Sequence, residues 1–163
     1  MAVIALTTAR VEVGNAWTGT APGNPGTQTV SGTITTGTDL SAWAKGLSMP
    51  QHREVQNASN FGSNAFDNYV PGMRNMTATF TLLQDYAAGG PYATLNTLFA
   101  NQSSAAPVFW DIRPTTAARS ATNPSFVVAG YIVDFPFMEA SVGEVSELTV
   151  PFQVTGVWAA LTS

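Results

Sequence analysis

The chain has 163 residues, the size of one domain, and a chain of that length can bury a core without covalent staples. It has no cysteine, which excludes disulfides, thiolate metal sites and cysteine nucleophiles, and its one histidine, His52, excludes a multi-histidine metal site. Charged residues are 10% of the chain, against about 25% in ordinary soluble domains, so much of the surface is expected to be covered by other subunits. The net charge of −4 argues against nucleic-acid binding, which needs a cationic patch. No apolar run reaches the ~18 residues of a membrane span, so no membrane insertion is expected. Met1–Leu6 is apolar but lacks a basic start and a cleavage pattern, and a cytoplasmic origin is expected.

Taken in order, the segments read as mostly β. Val3 to Val13 is rich in β-branched residues, and Arg10-Val11-Glu12-Val13 alternates charged with apolar as a half-buried strand does. Residues 14–38 form an uncharged Gly/Thr/Pro-rich insert with a turn at Gly23-Asn24-Pro25-Gly26 and a short strand near Gln28–Thr35 that puts Val30 and Ile34 on one face. A strand resumes at Asp39–Trp43 and leads through Pro50 into Gln51–Val55. Asn57 to Asn68 is polar and turn-forming, and Pro71-Gly72 is a further turn signal. Met76 to Leu82 alternates apolar residues with threonine. Gly89-Gly90-Pro91 breaks the chain before a helix over Tyr92–Asn101, whose Leu95, Leu98 and Phe99 share a face. Strands follow at Val108–Ile112, Ser125–Phe137 and Val145–Val157. The expected fold is mainly β, a single-domain sandwich or barrel over residues 1–163, with one short α-helix packed on it and an extended loop or hairpin.

No chemistry emerges from the motifs. Phosphate loops and nucleophile elbows are absent, and His52 sits between Gln51 and Arg53 in a polar segment, as a solvated or interface histidine would. Asp111, Asp134, Glu139, Glu144 and Glu147 could supply paired carboxylates for glycoside hydrolysis, but they flank a solvent-facing hairpin with no aromatic cleft. No Asp-x-Asp-x-Asp-Gly pattern for calcium occurs. No catalytic, cofactor or metal site is expected. Asn57-Ala58-Ser59, Asn75-Met76-Thr77 and Asn101-Gln102-Ser103 match the glycosylation triplet by composition alone. Trp43, Trp110 and Trp158 read as core residues.

The stretches Asn57-Ala58-Ser59-Asn60-Phe61-Gly62-Ser63 and Val70-Pro71-Gly72-Met73-Arg74-Asn75-Met76-Thr77-Ala78-Thr79-Phe80 resemble the major tail (tail tube) proteins of long-tailed bacteriophages. In that family a Phe-Gly turn precedes a Pro-Gly segment that opens a Thr-rich strand, followed here by Gln84-Asp85-Tyr86 and a short helix. Gly130-Tyr131-Ile132-Val133-Asp134-Phe135-Pro136, Val142-Gly143-Glu144-Val145 and Val150-Pro151-Phe152-Gln153-Val154-Thr155-Gly156 resemble its later strands and turn. The likeness runs over roughly residues 39–158. Ser59-Asn60 stands where the pattern has a threonine, and the 14–38 insert has no counterpart.

This resemblance implies a structural virion protein whose subunits close into hexameric rings that stack into a tube for DNA delivery, located in the tail and, before assembly, in the host cytoplasm. Its implied partners are copies of itself, tape-measure and tail terminator or tip proteins, and double-stranded DNA that passes without specific binding. Residues 45–68 are the candidate inter-ring arm, with Phe61 as its apolar anchor. The candidate stacking residues are Phe61, Gly62, His52, Arg53, Pro71 and Gly72. Candidate luminal acids are Asp39, Asp67, Asp111, Asp134, Glu139, Glu144 and Glu147, which would repel phosphate. The alternatives are a capsid decoration or minor tail protein, and a monomeric β-sandwich glycan-binding module that would use Trp17 or Tyr69.

Overall fold

The computed structural model describes residues 8–22, 30–58, 67, 69–138, 143–156 and 158–162. In chain order the elements are β1 (Arg10–Gly14), β2 (Trp17–Thr18), β3 (Thr33–Ile34), β4 (Thr38–Asp39), β5 (Ala44–Ser48), β6 (Gln51–Asn57), β7 (Tyr69–Leu83), α1 (Pro91–Asn101), β8 (Val108–Arg113), β9 (Ser125–Ile132), β10 (Glu147–Val154) and β11 (Ala159–Leu161). Nine strands form one sheet in the order β4-β1-β8-β9-β10-β7-β5, with β11 added to β9 and β6 added to β7. Its pairings are antiparallel. The sheet curls into a half-barrel, so the expected mainly β fold with a short helix forms.

Period-2 alternation decides which face is inside. Met76, Ala78, Phe80 and Leu82 of β7 point the same way as Leu148, Val150, Phe152 and Val154 of β10, and all eight are buried in the main core. Val11 and Val13 of β1 and Val108, Trp110 and Ile112 of β8 complete it. At its centre Trp110 stacks on Phe80 with ring centroids 3.7 Å apart, and Phe152 meets both edge-on. Gly130 lets β9 and β10 close together: a Cβ there would stand 2.0 Å from the Gln153 carbonyl oxygen.

Pro91 opens α1, and Leu95 and Leu98 lie against the main core. Just past the helix, Gln102 acts as a one-residue strand. Its side-chain amide donates to the Ile132 carbonyl and accepts from the Ile132 N–H, both at 2.9 Å. Residues 40–43 bridge the two sides of the sheet, with Leu40 N–H donating to Val11 and Leu83 N–H donating to Trp43.

The opposite face of β8 is covered as well. β2 and β3 pair as a small antiparallel ribbon that packs Trp17, Ile34 and Ala21 on Phe109 and Ala129. Gly32 turns this ribbon at a φ of 104°, where a Cβ would collide with the Thr18 carbonyl. Part of the insert expected at 14–38 is therefore packed structure; its turn at Gly23-Asn24-Pro25-Gly26 lies outside the described residues.

Four local expectations are corrected. Pro71 and Gly72 lie inside the 15-residue strand β7 and make no chain reversal. The strand expected over Ser125–Phe137 ends at Ile132, before the irregular stretch that contains Pro136. The one expected over Val145–Val157 divides into β10 and β11. The strand expected at Asp39–Trp43 does not form, because β4 ends at Asp39 and residues 40–43 turn toward β5; Trp43 therefore lies off the strands, and it and Trp158 pack partly buried against the main core.

Candidate assembly surfaces

β7 outruns its sheet. Its second half pairs with β10 and β5, while residues 69–76 pair only with β6, giving a two-stranded hairpin that leaves the body of the protein. Every residue of β6 is exposed, as are Tyr69, Val70, Met73 and Arg74 of β7. Of the segment expected as an arm, 45–48 belong to β5 in the main sheet, and the projecting part begins at Gln51.

The arm carries four of the six candidate stacking residues. His52 faces Asn75, Arg53 faces Arg74, and Val55 faces Pro71 across the strands. Between the last two pairs β7 has one residue more than β6, a bulge that sets Gly72 against Glu54, with a would-be Cβ 3.1 Å from the Glu54 Cβ. The bulge also accommodates Pro71, which has no N–H to give a ladder. Phe61 and Gly62 lie outside the described residues.

Two further surfaces suit burial between subunits. The outward face of β7 and β10 joins Thr77, Thr79 and Thr81 to Gln153, Pro151 and Thr149 in register, without a charge. Beside it, β5 has β7 as its one strand neighbour among the described residues, so its other edge offers unpaired backbone groups. A small crevice of about 70 Å³, lined by Ala9, Val11, Leu47 and Ile112 among others, separates this edge from β1.

The charges on the covered face of β8 serve the fold. Asp111 is 1% exposed, accepts from Arg119 Nη2 at 2.7 Å and from the Ser125 hydroxyl, and has Arg113 Nε at 3.7 Å. Arg119 also donates to the Gly32 carbonyl at 2.7 Å, which ties the β2–β3 ribbon to the sheet. Nearby, Glu12 pairs with Arg10 at 2.8 Å. Burial raises the Glu12 carboxyl above the ordinary glutamate range; Arg10 and Arg113 pull it down, and Asp111 and Asp39 push it up. Asp111 is thus removed from the acids that could line a channel. Asp39 and Glu147 are paired with Arg10 and Lys45, and Glu139 lies outside the described residues.

Sequence reasoning missed the β9–β10 connection, residues 133–146. Val133, Phe137, Met138 and Val145 there are between 63% and 80% exposed, beside the exposed acids Asp134 and Glu144. The available signal was Pro136, which ends the apolar alternation and leaves Phe137 and Met138 without a sheet to face. Trp17, a candidate glycan platform, instead packs on Phe109 at 5.5 Å and donates its indole N–H to Ser31. Among the described residues no cluster of three or more acids or histidines is placed to hold a metal ion, and no helix is long and apolar enough to cross a membrane.

No family model matches the sequence, and no curated protein matches it. Solved structures do. The chain superposes on the SPP1 tail tube protein with a TM-score of 0.61 at 9% identity, over 99% of this chain and 81% of that one. It superposes on a chain of the six-fold symmetrised baseplate of the anti-feeding prophage with a TM-score of 0.53 at 13% identity, over 94% of this chain and 92% of that one. The chain therefore has the fold of the phage tail tube proteins that its sequence resembles.

Proposed function

We propose that this protein is a tail tube subunit, a non-enzymatic structural protein that closes into rings, hexameric by the family resemblance, and stacks them into a conduit for DNA. The observation that carries this reading is the combination, on a tail-tube fold, of an open strand edge at β5 with a hairpin that protrudes from the body with both strands exposed. An edge left unpaired invites the matching edge of another copy, and pairing around a ring removes every free edge. A projecting arm whose β6 pairs with β7 alone among the described strands supplies the second, different contact that a stack of rings needs.

The face that joins Thr77, Thr79 and Thr81 to Gln153, Pro151 and Thr149 is then an interior surface of the assembly, in keeping with a chain of which 10% is charged. The net charge of −4 favours a wall from which DNA slides without sticking. In this role the protein resides in the virion tail after passing through the host cytoplasm, and meets tape-measure and terminator or tip proteins at the ends of the tube. A second reading, a minor tail protein forming a single ring at the tail end, draws support from the likeness to a baseplate chain.

Light scattering on a size-exclusion column tests the proposal. Masses that climb with loading concentration in ring multiples support a tube subunit. One ring mass that never grows supports the minor tail protein, and a monomer at every concentration refutes both.

A further inference from the structure

We propose that the β6–β7 hairpin of one copy docks on the β9–β10 connection of a second copy, with Arg53 and Arg74 set against Asp134 and Glu144. The inference rests on the assembly reading above and names the two surfaces that reading requires.

The first observation is a repulsion. Arg53 stands directly opposite Arg74, and cross-strand partners share a face of the ribbon. Both are exposed, and neither has an ion pair or hydrogen bond among the described residues. Like charges placed this way destabilise a free hairpin. A carboxylate lodged between the two guanidinium forks turns the same pair into an attraction with bidentate geometry.

The same face prolongs the core. Along β7 the inward row runs from Leu82, Phe80, Ala78 and Met76, all buried, to Arg74 on the arm. Beyond it on this face stand Val55 and Tyr69, 62% and 55% exposed. A core-type row continued into solvent is a surface that awaits a cover.

The matching surface lies on the β9–β10 connection. Outside the arm, Asp134 and Glu144 are the exposed carboxylates without an ion pair or hydrogen bond among the described residues; Asp39 and Glu147 are engaged by Arg10 and Lys45. Both lie in the connection that also exposes Val133, Phe137, Met138 and Val145. The face of the arm that bears Arg53, Arg74, Val55 and Tyr69, with Glu54 alternating to the other face, and the connection thus carry opposite charges beside exposed apolar side chains.

Their positions select a second copy as the occupant. The arm leaves β7 at Tyr69, and the connection returns to the sheet at the other end, where Glu147 pairs with Leu83 and Gln84 N–H donates to Ser146. The charged groups are nearer than those ends but still apart: Arg74 lies nine residues from Leu83, roughly 30 Å at about 3.3 Å per strand residue, and five residues from Thr79, roughly 17 Å, the level at which Val133 N–H donates to Pro151 and the connection leaves the sheet, so neither carboxylate meets the arm of its own chain. Two complementary patches displaced along the strand direction of one molecule give a head-to-tail contact that repeats along that direction.

The test uses two full-length variants, one with Arg53→Glu and Arg74→Glu, the other with Asp134→Arg and Glu144→Arg, in sedimentation velocity at low salt. All four positions are exposed, so near-ultraviolet circular dichroism should match the wild type. The expected result is that each variant alone needs at least a tenfold higher concentration to assemble, and that an equimolar mixture assembles as the wild type does, because each reversed surface then meets its complement. Variants that assemble normally, or a mixture that stays dissociated while the wild type assembles, overturn the docking and leave the assembly reading standing; the second of these outcomes assigns the arm to another surface or partner. A wild type that stays monomeric at every concentration overturns the assembly reading and the docking with it.

Discussion

Replacing Gln102 by alanine tests whether a single side chain holds the helix end to the sheet. In the native protein the Gln102 amide occupies the place beside Ile132 that a neighbouring strand would take, making two hydrogen bonds of 2.9 Å to one backbone unit. β8 does not reach that level, since its pairing with β9 ends at Val108 and Gly130. Each bond contributes about 1 kcal/mol net, and leaving the two backbone groups of Ile132 poorly satisfied adds a further fraction of the ~1–3 kcal/mol desolvation cost. The expected loss is therefore about 2–4 kcal/mol, read as a lower urea midpoint at an unchanged slope. Gln102→Glu separates the two bonds. An ionised carboxylate still accepts from the Ile132 N–H but faces the Ile132 carbonyl with no donor, so this variant falls between wild type and alanine at neutral pH. It should recover at acid pH, where the protonated carboxyl donates again. A loss below about 0.5 kcal/mol for the alanine variant, the range of an ordinary surface change, refutes the reasoning.

Three further changes probe other parts of the account. Arg119→Met removes the closest cation to buried Asp111 and the tie to Gly32; a loss of about 3–5 kcal/mol is expected, with faster amide exchange at Thr33 and Ile34, and a loss under 1 kcal/mol would show the pair to be dispensable. Glu12→Gln should change the pH profile of stability. The native Glu12 carboxyl is raised, so the folded state holds its proton after the unfolded chain has lost it, and stability falls as pH climbs from the ordinary value of 4.5 into the raised range. The glutamine variant should lack that decline, and an unchanged profile in denaturation between pH 4 and 7 contradicts the assignment. Phe61→Asp, at the proposed anchor of the arm, should leave the thermal midpoint unchanged while blocking the stacking of rings; tubes of normal length in that variant dismiss the anchor.

Sequence patterns revealed elements whose partners are chemically of one kind, and failed where a distant segment decides. Met76 to Leu82 alternates because one face meets the core along its whole length, and Leu95 and Leu98 mark the buried side of α1 for the same reason. β6 carries no such signal: all its residues are exposed, so nothing in its own composition fixes its register. That register is what sets Arg53 opposite Arg74 and converts the Pro71-Gly72 turn signal into a bulge within a strand. Asp111 reads as the polar side of a half-buried strand, yet it is sealed by Arg119 and by a ribbon almost eighty residues before it in sequence, at Gly32. Gln102 looked like part of an incidental glycosylation triplet, and only the end of β8 explains what its amide does.

The central claim is that this fold exists to be repeated, and negative-stain electron microscopy of the purified protein over a concentration series tests it most directly. The account predicts rings seen end-on with an open centre and, at higher concentration, hollow tubes of uniform bore built from them. Isolated particles the size of one chain at every concentration, with no ring in any class average, would contradict it.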